Sequence, residues 1–90
     1  MAVYVDHGEM AYRRMKMCHM VADSEVELLE MADTIGVARK WIQRPARGPV
    51  HFDICQSKRK LAVEAGAIEV DRRKLVEIVR KQREGGQGQS

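Results

Sequence analysis

The sequence predicts a small single-domain α/β fold: about four short strands in a largely parallel sheet, layered with about three helices. Three observations carry this expectation. Short apolar runs of strand length alternate with segments of helical periodicity, the pattern of layered α/β domains. Helix start and stop signals bracket the helical segments. Ninety residues, 44% apolar and 32% charged, form one globular unit with a modest core. The domain is expected over residues 1–84 and a flexible Gly/Gln tail over 85–90.

Ala2-Val3-Tyr4-Val5 reads as a buried strand that ends at Asp6, with His7-Gly8 breaking it. Residues 9–14 fit neither period. Met15 to Val21 reads as a second strand, in which alternation places Met15, Met17 and His19 on one face. Ser24-x-x-Glu27 is a capping-box pattern that opens a helix, and Leu28, Leu29, Met31, Ala32 and Ile35 give it one apolar stripe. Gly36 supplies its stop. Val37 to Gln43 reads as a third strand, and Arg44 to Pro49, with two prolines and a glycine, as a loop. Val50 to Ile54 is a short extended segment, followed by a helix over about Ser57–Ala65 that stops at Gly66. Ala67 to Val70 is the fourth strand. Asp71 caps the last helix, with Leu75, Val76, Ile78 and Val79 facing inward.

Composition narrows the function classes. No apolar run approaches the roughly 20 residues that span a bilayer, and the first residues lack the flanks of a signal peptide. A cytoplasmic protein is expected. Two cysteines, Cys18 and Cys55, are too few for a disulfide framework and are expected to be free. The net charge of +3 hides an asymmetry. Residues 1–36 hold three basic and seven acidic side chains, a net −4, whereas residues 37–90 hold thirteen and six, a net +7. The basic part favours a small anionic partner. Long nucleic acid is disfavoured, since no helix-turn-helix, zinc finger or RNA-binding signature is present. A chain this short gains from self-association, so a homo-oligomer is expected.

Two histidine–carboxylate units stand out: His19 with Asp23, and His51 with Asp53. Imidazole exchanges protons near neutral pH. Two imidazoles oriented by carboxylates can form a general base and a general acid. His51 and Asp53 share a face of an extended segment. Asp6 and Gln43 fall, like His19, at expected strand ends, where parallel sheets place ligands. Ser57-Lys58-Arg59 opens a helix with positive side chains. That arrangement opposes the helix dipole unless an anion lies between them. Trp41 is either a base-stacking platform or half-buried packing, and Tyr12 is a candidate for a pocket mouth. A metal is not expected: His19, His51, Asp6, Asp23 and Asp53 are suitable ligand types, but there is no HxxxH and no CxxC. Two geometries would decide the matter. Imidazoles one phosphate apart with Lys58 nearby would favour acid–base catalysis. Three candidate ligands converging on one point would favour a metal.

The order Met1-Ala2-Val3-Tyr4-Val5-Asp6, Cys18-His19-x-x-Ala22-Asp23-Ser24-x-x-Glu27-Leu28, Trp41-Ile42-Gln43, His51-Phe52-Asp53 and Ser57-Lys58-Arg59 resembles domain of unknown function 4031, a family of small phage and bacterial proteins. The resemblance covers about residues 1–80. Phe52 stands where tyrosine is common in that family. A phage setting implies action on host metabolism or immunity, including cleavage or capture of cyclic-nucleotide signals.

These readings together give the leading expectation: a metal-independent phosphodiesterase acting on a small, cyclic or oligomeric nucleotide. His19 and His51 would be base and acid. Asp53 would hold His51, and Asp23 or Asp6 would hold His19. Lys58 and Arg59 would stabilise phosphoryl charge, with Ser57 at the same helix start. Gln43 and Trp41 would contact the base. The alternatives are a binding protein that sequesters the same ligand uncleaved, and a nucleic-acid-binding accessory protein.

Overall fold

The computed structural model describes residues 2–7, 10–12 and 15–87. Five strands form one sheet: β1 (Val3–Val5), β2 (Met10–Tyr12), β3 (Met15–Ala22), β4 (Phe52–Cys55) and β5 (Ile68–Glu69). Three α-helices accompany it: α1 (Glu25–Ile35), α2 (Gln56–Glu64) and α3 (Arg72–Gln87). The sheet path is β2-β3-β1-β5, with β4 paired to β3. The last helix takes in Gly85 to Gln87, and residues 88–90 lie outside the described residues.

The sheet is mixed, not largely parallel. β1, β2 and β4 each pair with β3 antiparallel, and only β1 with β5 is parallel. Connection length explains the β2–β3 pair. A parallel crossover needs about a dozen residues, and the link between those two strands is far too short for one.

Val37 to Gln43 is also not a strand. Residues 39–41 form a 3-10 turn, closed by Trp41 N–H to the Ala38 carbonyl and Ile42 N–H to the Arg39 carbonyl, both 3.1 Å. Arg39 is held over α1 by Asp33, with Nη2 to Oδ2 at 2.6 Å. Trp41 is 62% exposed, and only Val37 and Ile42 at the two ends of the segment pack against the core, so its middle has no alternating buried face that would favour a strand. Only Gln43 pairs, in an isolated bridge with His51.

The helix signals hold. Ser24 caps α1, its Oγ accepting from Glu27 N–H at 3.2 Å and donating to Glu27 Oε1 at 2.9 Å. Gly36 ends the helix at φ +79, a left-handed conformation that favours glycine. Lys58 adds a second C-terminal device, its ammonium donating to the Ile35 carbonyl at 3.0 Å.

The two faces of the sheet differ. One carries Val3, Val5, Cys18, Met20, Phe52 and Ile54 into a core completed by Leu28, Ala32 and Ile35 of α1 and Ala62 of α2. The other carries Tyr4 and Val21 into a smaller cluster with Val70, Leu75 and Ile78, under α3. His19 belongs to this second face, because it alternates with the core residues Cys18 and Met20.

Both cysteines are free. Burial pushes the Cys18 thiol up to about 12. Cys55 is lowered, chiefly by its hydrogen bond with Ser57, Sγ to Oγ at 3.2 Å, and further by the Lys58 amide. At pH 7.5 iodoacetamide is therefore expected to label Cys55 and spare Cys18, because the thiolate is the nucleophile. Peptide mass spectrometry reads the result. Equal labelling of Cys18 in the native protein would contradict its burial.

Candidate functional site

The site is built across three strands. Asp6 follows β1 and exchanges a backbone bond with β3, its N–H donating to the His19 carbonyl at 3.2 Å. His19 is in turn the registered partner of Asp53 on β4. His51, two residues before Asp53, shares that face and is fixed by Gln43 through two backbone bonds of 2.8 and 3.1 Å. Asp6, His19 and Asp53 thus form a row across the sheet, with His51 one step along β4. Sequence neighbours contribute little to this row, and register contributes most of it.

Asp6 is 7% exposed and binds His19 twice. Its Oδ1 accepts from the His19 backbone N–H at 3.0 Å and its Oδ2 meets His19 Nδ1 at 2.7 Å. A carboxylate only accepts, so Nδ1 carries the proton and the Nε2 lone pair points away from Asp6. His51 repeats the logic with a backbone group. Its Nδ1 lies 3.0 Å from the Pro49 carbonyl, which also only accepts. Each ring, when neutral, therefore presents an Nε2 lone pair. Those nitrogens flank one oxygen, Asp53 Oδ1, at 3.8 Å from His19 and 3.4 Å from His51. The imidazole centroids are 5.5 Å apart with an edge-on angle of 67°. Asp53 Oδ1 is out of contact with solvent and makes no hydrogen bond among the described residues. His19, His51 and Asp53 are donor types that divalent metals accept, and their three ligand atoms lie within 4.8 Å of one another.

A pocket of about 350 Å³ opens beside the imidazoles. Asp6, His19 and His51 line it on the sheet side. Leu75, Val76 and Val79 of α3 form an apolar wall, and Arg47 and Arg72 add two cations.

Other expected site residues lie elsewhere. Asp23 accepts from the Ala2 N–H at 2.7 Å and the Tyr4 hydroxyl at 3.3 Å, so the holder of His19 is Asp6. Lys58 is engaged at the end of α1. Arg59 stands behind the site as a brace. Its Nε donates to the Asp6 carbonyl at 2.7 Å, and its Nη2 pairs with Glu69 at 3.0 Å. Ser57 bonds Cys55. Trp41 is exposed beneath the Lys40 ammonium, 5.1 Å from the ring centroid. Gln43 serves through its backbone. The Tyr12 side chain lies outside the described residues.

Sequence reading missed Arg47, Arg72 and the Pro49 carbonyl. A signal for Arg72 existed. Arg72-Arg73-Lys74 opens α3 with positive charge and no acid, the same anomaly that pointed to Lys58 and Arg59 in α2. The backbone acceptor at Pro49 has no sequence signature.

The fold and site define a small α/β protein whose paired histidines are oriented from behind and open onto a cationic, half-apolar pocket. The chain belongs to the family described as "Protein of unknown function (DUF4031)", whose model matches residues 3–82. No curated protein and no solved structure matches it. Among the described residues, no helix is long and apolar enough to cross a membrane.

Proposed function

We propose that this protein is a phosphodiesterase that hydrolyses a small nucleotide-like anion in the pocket beside His19 and His51. The observation that carries this reading is the matched orientation of the two imidazoles. Each has Nδ1–H tied to an acceptor and Nε2 turned toward Asp53. The expected division into one base and one acid is less well supported than two like bases, since both rings are held in the same tautomer. Water is then the nucleophile. Its proton passes to an Nε2 lone pair, its oxygen bonds to phosphorus, the bond from phosphorus to the leaving oxygen breaks, and that leaving oxygen takes the proton back from the imidazolium, which returns the ring to its neutral form. Arg47 and Arg72 are the pocket groups suited to the negative charge. The apolar α3 wall suits a base or sugar face. Cyclic or oligomeric immune-signal nucleotides, and action in a host cytoplasm, remain the substrate and setting that the family resemblance suggests.

Incubating the protein with cyclic dinucleotides, linear dinucleotides and bis(p-nitrophenyl) phosphate, with products read by mass spectrometry, tests the proposal. His19→Ala and His51→Ala are each expected to lower turnover about 10²–10⁴-fold. Full activity in both variants would remove the site from the chemistry. A nucleotide recovered bound and intact after long incubation would favour sequestration.

A further inference from the structure

We propose that His19 Nε2, His51 Nε2 and Asp53 Oδ1 form a binding site for one divalent first-row transition metal ion. This goes beyond the hydrolytic reading and does not depend on it; while an ion is held, the Nε2 electron pairs are its ligands and neither ring acts as the base.

Three features support the ion. The first is proton accounting. Nδ1 of His19 faces a carboxylate at 2.7 Å and Nδ1 of His51 faces a carbonyl at 3.0 Å. Both must donate, so in the neutral rings three electron pairs converge with no hydrogen among them. Asp53 Oδ1 has lost water without gaining a hydrogen bond among the described residues. A metal cation satisfies all three atoms together, whereas a proton on one imidazole would pair only that ring with Asp53.

The second is spacing. Bonds of about 2.0–2.1 Å at tetrahedral angles place two ligand atoms about 3.4 Å apart. The His51–Asp53 separation is 3.4 Å and the His19–Asp53 separation 3.8 Å. All three atoms fall within 4.8 Å of one another, so an approach of the imidazole nitrogens by up to about 1.4 Å closes the set.

The third is the supporting shell. Metal-bound histidines usually donate their other N–H to a carboxylate or a backbone carbonyl. Asp6 and Pro49 supply one of each. Arg59, 14% exposed in its side chain, holds the backbone at Asp6 and so fixes that shell in place.

Two imidazoles and one carboxylate leave at least one coordination position for water, the arrangement of catalytic rather than structural sites. Zn²⁺, Co²⁺, Mn²⁺ and Fe²⁺ suit this mixed nitrogen and oxygen set, whereas Ca²⁺ and Mg²⁺ favour all-oxygen ligands.

Calorimetric titration of the chelator-stripped protein with Zn²⁺, and Co²⁺ titration followed by d–d absorption, test the site. One ion per chain is expected. His51→Gln and Asp53→Asn are each expected to weaken binding at least 10-fold. Asp6→Asn is expected to weaken it about 10- to 100-fold without removing a ligand. Far-UV circular dichroism of each variant establishes that it is folded. Saturable binding that survives unchanged in a folded His19→Ala/His51→Gln double variant would overturn the proposal. So would the absence of saturable binding below millimolar metal in the wild-type protein. The two readings can fail separately. Turnover in a protein that shows no saturable metal binding removes the metal and keeps the enzyme, whereas bound metal without turnover keeps the metal and removes the enzyme.

Discussion

Asp6→Asn is expected to fold and to lose about 10²–10⁴-fold of any activity, although it exchanges one terminal atom for another of nearly the same size. The argument is one of donors and acceptors. Asp6 receives two hydrogen bonds from the same residue, the His19 backbone N–H and Nδ1–H. The backbone N–H can only donate, so the asparagine oxygen must stay there. Its NH₂ group then faces Nδ1, where a donor can meet only a lone pair. The His19 proton moves to Nε2, and the ring presents N–H to the site in place of an electron pair. The base is lost and the metal ligand is weakened, although every heavy atom keeps its place. Nitrogen chemical shifts of His19 would show the exchanged tautomer directly. An Asp6→Asn variant with unchanged shifts and unchanged turnover would show that Asp6 does not set the ring.

Phe52→Ala is expected to cost about 3–5 kcal/mol of stability, the range for truncating a buried phenylalanine. Phe52 is fully buried in the larger core, where it pairs in register with Met20 on β3. A domain of this size holds only about 5–15 kcal/mol in total. The melting temperature should drop by tens of degrees at roughly 4–8 °C per kcal/mol. The change lies between His51 and Asp53 on one strand, so losing the anchor also loosens both site residues. Thermal denaturation followed by circular dichroism measures it. A fall of only a few degrees would mean that β4 is held mainly by its ladder and not by this ring. Phe52→Leu, which keeps most of the volume, should recover much of the loss.

These two residues show how unevenly the sequence revealed the molecule. Phe52 was legible, because alternation around His51 and Asp53 directs it inward. The capping of α1 was legible because Ser24, Glu27 and Gly36 act over a few residues. The Val37–Gln43 segment was misread because an exposed Trp41 and charged Arg39 and Lys40 gave no true period, and ion pairing with Asp33 settled its path. Sheet direction was misread from strand and helix alternation alone, because the β2 strand in residues 9–14 had no legible period and its short link to β3, which requires an antiparallel pair, went unseen. At the site, His19, His51 and Asp53 stood out as chemistry. Their convergence did not, since it depends on β3 and β4 pairing His19 with Asp53 across a separation of more than thirty residues. The sequence allowed either Asp23 or Asp6 to hold His19, and the pairing of β1 with β3 is what selects Asp6.

The Gln43–His51 bridge closes the base of the loop that carries Arg47. Arg44 pins one side of that loop to Glu25 on α1, and Gly48, at φ +112, turns the chain back. The histidine after the loop is oriented by a main-chain oxygen, which every amino acid supplies. Residues 45–48 can therefore change in length and character while the reactive groups stay in register. Relatives could diverge in what they accept by rewriting this short stretch alone. A designer wishing to retarget the protein would begin there and leave the sheet untouched.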